Sequence, residues 1–227
     1  MSKPKVLRKY IALAGVLFLF PLFLVFFFGK GMSQHFHSLP YYDPNYPPEY
    51  KHQAPVDSIP DHTQFHALPE FELTSHKGMS FNRDSLDGKV WLCAFYSTGS
   101  PYSTDATKQL LQVNFKYRNE EDIGLLCLTL DAEHDSPEVL GDYIENVTIR
   151  SMHSDKWYFL TGEQSEINSL IRDGFMIHDS TNIATMYLLD NNYHLRGRYN
   201  ASYGEEIKKA KEDIALLKKE IDATRKK

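Results

Sequence analysis

Thiols are scarce in this sequence: of 227 residues only Cys93 and Cys127 are cysteines. That excludes a disulfide-stapled scaffold and a cysteine-rich metal site. An excess of positive charge is lacking as well. The formal net charge is −5, so nothing global points to nucleic acid as a partner. No segment repeats another. Charge itself is missing from one stretch, Tyr10 to Phe28, which reads YIALAGVLFLFPLFLVFFF. At ~1.5 Å per residue a helix of this length spans ~30 Å, the thickness of a hydrocarbon core. A charge inside it would cost a few kcal/mol, so its absence carries information. Pro21 is compatible with a membrane helix, where a kink is tolerated.

Lys3, Lys5, Arg8 and Lys9 precede the apolar run and only Lys30 follows closely. The positive-inside rule then places residues 1–9 in the cytoplasm, residues 10–28 in the bilayer and the rest outside. A cleaved signal peptide is the rival reading. Its apolar region is shorter and ends at a small-residue site, whereas this run ends Phe-Phe-Phe-Gly-Lys with no lipobox cysteine.

Residues 29–67 read as a linker. Pro40, Pro44, Pro47, Pro48, Pro55 and Pro60 are spaced among Tyr41, Tyr42, Tyr46 and Tyr50. That proline density favours extended chain over helix or sheet. The tyrosines are placed either to pack on a domain or to lie in a lipid interface. His35, His37, His52, His62 and His66 also fall here. Imidazole is a common metal ligand, but a flexible segment loses entropy on closing a site.

Residues 68–227 read as one α/β domain. Leu68 to Leu73 alternates like a half-buried strand, and a short strand falls between Ser75 and Asp84. Val90 to Tyr96 and Ile123 to Leu130 are continuous apolar runs suited to strands covered on both faces. Asp105 to Arg118 predicts a helix with Ala106, Leu110, Leu111, Val113 and Phe115 along its buried face and Asp105 as its cap. Ser136-Pro-Glu starts another through about Glu145, with proline at the first helical position. A strand at 157–160 and a helix at 162–173 follow. The segments 185–189 and 195–199 flank the turn Asp190-Asn191-Asn192 as a hairpin. Residues 204–224 form a charged helix with Ile207, Ala210, Ile214, Leu217 and Ile221 as its stripe. The order β-β-β-α-β-α-β-α-β-β-α implies a central sheet with helices on both faces.

Four blocks carry a resemblance. They are Gly88-Lys-Val-Trp-Leu-Cys-Ala-Phe-Tyr-Ser-Thr, Leu130-Asp-Ala-Glu-His-Asp-Ser-Pro-Glu-Val-Leu, Trp157-Tyr-Phe-Leu-Thr-Gly, and Met186-Tyr-Leu-Leu-Asp with Arg196-Gly197. The second resembles D-P-x-x-D-T-P-x-x-L and the third W-x-x-L-T-G of the Sco/SenC family. These are membrane-anchored, thioredoxin-like proteins that help assemble the copper centre of cytochrome c oxidase. The resemblance implies a thioredoxin-like fold behind one transmembrane helix, with the domain on the periplasmic, extracytoplasmic side of the inner membrane.

The family binds copper through C-P-x-x-C and a distant histidine. Those positions fall here on Ser100, Thr104 and Asn182, with His178 four residues before the last. Soft thiolates select Cu(I), and hydroxyls do not replace them or form a redox couple. The expectation is therefore a non-enzymatic assembly factor with no cofactor and no resident copper. It would use Thr98, Ser100, Pro101, Asp135 and Asn182 to bind an oxidase subunit or a copper-loaded Sco homologue. Two alternatives stay open: a metal binder using His178 and the linker histidines, and a thioredoxin-like oxidoreductase. The latter needs a reactive thiol. Cys93 and Cys127 lie inside apolar strands and read as small hydrophobes. Asp135 reads as a residue that orders its loop rather than as a general base, because no partner is evident. Asn146-Val-Thr and Asn200-Ala-Ser match glycosylation sequons, which matter only in a eukaryotic secretory setting.

Overall fold

The computed structural model of the protein describes residues 19–21, 23, 38–41, 65–147, 154–178 and 184–225. The chain divides into two units, 1–36 and 37–227. In the first, Leu19, Phe20, Pro21 and Phe23 are helical. The rest of the expected anchor lies outside the described residues. Among the described residues no helix is long and apolar enough to cross a membrane.

Among the described residues the second unit is built on seven strands. These are β1 (Glu72–Ser75), β2 (Ser80–Asn82), β3 (Val90–Tyr96), β4 (Ile123–Thr129), β5 (Trp157–Thr161), β6 (Thr185–Leu189) and β7 (Leu195–Asn200). Their spatial order is β2-β1-β5-β4-β3-β6-β7. The β3–β4 and β4–β5 pairs are parallel, and the remaining neighbours are antiparallel. Among the described residues four α-helices accompany the sheet: α1 (Pro101–Tyr117), α2 (Pro137–Val147), α3 (Gln164–Ser169) and α4 (Gly204–Arg225). The element order is the one the sequence predicts.

The two apolar runs are central strands because both faces of the sheet are covered. Along β3, Val90, Leu92, Ala94 and Tyr96 enter one core with α1, α2 and α4. Trp91, Cys93 and Phe95 enter the other, beneath α3 and the segment before β1. The strand period of two thus divides one run between two cores. Gly124 is paired with Trp91 across the β3–β4 ladder. A methyl group there would overlap the indole ring, so the glycine is what lets the tryptophan lie flat on β4.

Several local expectations are corrected. The first strand begins at Glu72, not Leu68. Leu68 is buried, but its N–H donates to the Tyr193 carbonyl at 3.0 Å instead of joining a ladder. Helix α1 begins at Pro101, four residues before Asp105, so Asp105 is no cap and the N-cap position is Ser100. Proline is well suited to a first helical position because its missing N–H would be unpaired there anyway. Phe115 is 54 % exposed and lies off the buried face. That face runs through Ser103, Ala106, Thr107, Leu110, Val113, Asn114 and Tyr117, a spacing of three and four. The Arg118 guanidinium lies 4.6 Å from the Phe115 ring centroid instead. Finally, α3 is short and runs on into a π-turn over Leu170–Gly174.

Residues 38–41 and 65–67, read from the sequence as linker, pack on the domain. Leu39 is 7 % exposed and belongs to the larger core.

Candidate functional site

Strand β3 delivers the chain at Tyr96 into the loop Ser97-Thr98-Gly99-Ser100, and α1 starts immediately after it. Hydrogen bonds within the loop and to α1 set its shape. The Ser97 N–H donates to Ser103 Oγ at 2.9 Å. The Ser100 N–H donates to the Ser97 carbonyl at 3.0 Å, and the Ser103 N–H to the Ser100 carbonyl at 3.1 Å. Ser103 is fully buried, so its hydroxyl is spent on the loop backbone and is not offered to solvent.

The loop is closed from the other side by Asp135. This carboxylate is 0 % exposed. The Thr98 N–H donates to its Oδ2 at 3.3 Å, the Thr98 hydroxyl donates to its Oδ1, and the Thr129 hydroxyl donates to its Oδ2. Three donors offset the cost of taking a carboxylate out of water. Strand β4 supplies Thr129 at its end. The backbone turns through Asp131, whose carbonyl accepts from the Asp135 N–H at 2.9 Å. The result is a clasp joining the ends of two adjacent parallel strands. Asp135 therefore shapes the loop from within and has no exposed carboxylate to offer a partner.

Outside the clasp the surface is acidic and polar. His134 is exposed, and its Nδ1 pairs with Asp131 Oδ1 at 2.8 Å. The hydrogen bond to Asp131, and then its charge, push the imidazole pKa up. Ser100 is half-buried, and Gly99 is exposed at the loop tip. Pro101 and Thr104 have their backbones in the first turns of α1, but their side chains fall outside what is described, and Asn182 falls outside entirely. His178 is exposed just before residues 179–183, which lie outside the described residues. Of the linker histidines, His66 meets the Gly174 carbonyl at 2.9 Å, whereas His35, His37, His52 and His62 lie outside the described residues. Among the described residues no group of three or more His, Cys, Asp or Glu side chains is arranged to hold a metal ion.

The cysteines stand apart from this loop. Both are free and buried. Ala94, not Cys93, is paired with Cys127, and the two thiols point into opposite cores. Burial pushes the Cys127 thiol up to about 12, against the opposing effect of the Trp157 indole N–H that it accepts at 3.3 Å. Burial also raises Cys93 well above its ordinary value. Neither is a thiolate near neutral pH. A recess of about 230 Å³ lies by the start of β5, lined by His76, Ile144, Trp157 and Phe159, with Lys77 and Asp155 paired at its rim. It is at the end of the parallel strands away from the loop.

Sequence reasoning singled out Thr98 and Asp135 separately and did not pair them. It missed Thr129 altogether. A threonine closing an apolar strand two residues before Asp131 was the available signal.

A mixed sheet with three parallel central strands, helices on both faces and a polar loop leading from the central strand into a helix defines a thioredoxin-like domain. The comparisons agree. The solved structure of BsSco, described as a member of the Sco family of cytochrome c oxidase assembly proteins, superposes with a TM-score of 0.58 at 22 % identity, over 67 % of this chain and 93 % of that one. A SCO1/SenC family lipoprotein from Bacillus anthracis gives 0.56 at 23 % identity, over 67 % of this chain and 95 % of its own. In sequence, the SCO2-like protein RP587 of Rickettsia prowazekii is 31 % identical over 161 residues, 66 % of this chain and 75 % of that protein. Residues 60–215 match SCO1/SenC. The chain belongs to the SCO1/SenC family.

Copper(I) does not suit the donors at the three positions that the sequence resemblance assigns to the family's ligands. Ser100 and Thr104 bring hydroxyls and Asn182 an amide. These are hard, neutral oxygens and nitrogens where Cu(I) needs thiolate or imidazole.

Proposed function

We propose that this protein assists assembly of respiratory cytochrome c oxidase as a membrane-anchored Sco relative that binds a partner protein through the face around Thr98, Gly99 and Ser100. It carries no copper and performs no thiol chemistry. The partner is an oxidase subunit or a copper-loaded Sco homologue, and the domain stands outside the cytoplasmic membrane.

The observation that supports this reading is the clasp. Asp135, Thr98 and Thr129 hold the loop in a defined shape without any contribution from cysteine. A loop ordered this way presents a pre-formed surface, which lowers the entropy lost on association. The two thiols that exist are buried on opposite sides of the sheet, so the loop surface is polar hydroxyl and backbone. The exposed side chains beside it, Glu133, His134 and Glu138, suit a partner with basic or amide-rich complementary groups.

The test is capture of the tagged full-length protein from membranes, scored for oxidase subunits and for copper-carrying Sco homologues. Gly99→Arg adds bulk and charge at the exposed loop tip, where an added Cβ meets only the Ser97 hydroxyl, at 3.9 Å. Recovery of the partner should fall roughly tenfold or more in this variant, as for a charge placed in an interface centre. Wild-type protein that brings down neither class of partner, or equal recovery in both forms, contradicts the proposal.

A further inference from the structure

The end of the sheet opposite the loop holds a second polar assembly. In the β3–β6 ladder Trp91 is paired with Leu189 and Ala94 with Met186. Asp190, the residue after β6, therefore lies at the pole where β3 begins, away from the loop where it ends. Arg196 on β7 is 3 % exposed and sits at the centre of this pole. Its Nη1 donates to Asp190 Oδ2 at 3.1 Å and its Nη2 to Glu220 Oε1, on α4, at 2.7 Å. Burial works against the charges here. Even so, Glu220 and Asp190 hold the Arg196 pKa up, and the hydrogen bond from His194 together with Arg196 holds Asp190 below its ordinary value.

Two carboxylates and one guanidinium leave donors and acceptors over. The segment Ser38–Tyr41 takes them up. Arg196 Nη2 also donates to the Leu39 carbonyl at 2.6 Å, and its Nε donates to the Pro40 carbonyl at 3.4 Å. The Leu39 N–H donates to Glu220 Oε2 at 3.2 Å. The Tyr41 ring lies over the guanidinium, 4.1 Å from its carbon, and stacks on Phe65 at 3.9 Å between centroids. One short stretch thus supplies a backbone donor, two backbone acceptors and an aromatic face to a buried ion cluster. A planar guanidinium serves four oxygens at once in this arrangement, which a point-charge ammonium cannot do.

We infer that the Asp190–Arg196–Glu220 cluster is a dedicated acceptor for the chain's own Ser38–Tyr41 segment. The lead-in is thereby strapped to the pole opposite the partner-binding loop rather than left as free spacer. Leu39, Tyr41 and Glu220 all lie outside residues 60–215, the span shared with the family. The strap divides the region between the apolar run and the domain. In sequence, residues 29–37 separate the apolar run from the clamped stretch, and residues 42–64 separate that stretch from Phe65. The physical case for capture is that backbone groups of an extended, proline-bearing segment enter a buried charge cluster, where each hydrogen bond to an ion is stronger than in water. Proline at position 40 has no N–H to leave unpaired in that setting.

The experiment is hydrogen–deuterium exchange on the detergent-solubilised full chain, comparing wild type with Tyr41→Ala and Arg196→Lys. In the wild type the Leu39 amide should be strongly protected. Tyr41→Ala removes the ring over the guanidinium and leaves every buried charge paired, so exchange at 38–41 should rise roughly tenfold or more with β3 and β4 unchanged. Arg196→Lys should release the same segment. Should that variant unfold the domain, seen as lost protection in β3, Tyr41→Ala alone decides. Exchange of 38–41 at the same rate in wild type and Tyr41→Ala, whether both fast or both slow, overturns the inference.

Discussion

At the scale of single residues, the loop's character is set by hydroxyls. Ser100 and Thr104 cannot ionise near neutral pH, form a disulfide or hold a soft cation. The structural role falls to Asp135, a carboxylate with no exposure that receives three donors. Removing it leaves two hydroxyls and an N–H without their charged acceptor. Asp135→Ala should therefore cost about 2–3 kcal/mol, read from the denaturant midpoint at unchanged slope, and should speed amide exchange at 97–99. A midpoint equal to wild type would show that the clasp does not hold the loop. The thiols give an independent check. With Cys127 pushed up to about 12 and Cys93 raised by burial, native protein at pH 8 should not react with a thiol reagent on the timescale that labels both cysteines after unfolding. A fast-reacting thiol in the folded protein would revive thiol chemistry. Each of these residues was visible in the sequence, but the Thr98–Asp135 pairing was not. The two are 37 positions apart and are joined only because β3 and β4 lie side by side.

At the scale of elements, the sequence was most informative where hydrophobic period and tertiary burial coincide. The runs Val90–Tyr96 and Ile123–Thr129 are buried at every position, as a strand between two cores must be. The last helix buries Ile207, Ala210, Ile214 and Leu217 as its stripe requires. Helix α1 was harder to read. Its buried face includes Ser103, Thr107 and Asn114, polar residues whose burial depends on partners such as the Ser97 N–H and Tyr143, so an apolar count shifts the face toward Phe115. The two positions separate the readings by experiment. Leu110→Ala should cost ~2–5 kcal/mol because it empties a packed site, whereas Phe115→Ser should stay within about 0.5 kcal/mol, as surface changes do. Equal costs in thermal or denaturant unfolding would mean that the helix faces the core differently.

At the scale of the whole molecule, the domain keeps its two poles chemically distinct. One carries a hydroxyl-lined loop clasped by a buried aspartate. The other carries the Asp190–Arg196–Glu220 cluster, which binds the chain's own lead-in. Glu220 is buried on α4 three residues after Leu217, and nothing in the local sequence pattern pairs it with Asp190 and Arg196 of the closing hairpin. Its partner on β7 is 24 residues away and the strap 181 residues away, distances at which local pattern carries no information. At the first pole, the proposal is that the positions matched by resemblance to the family's copper ligands, Ser100, Thr104 and Asn182, hold no soft donors. The most direct measurement is retention of Cu(I) by the purified full-length protein against a competing chelator, with a Ser100→Cys, Thr104→Cys, Asn182→His variant alongside. The account predicts that the natural protein gives up all its copper to the chelator while the three-residue variant keeps it. One equivalent of Cu(I) held by the unaltered chain would contradict the account.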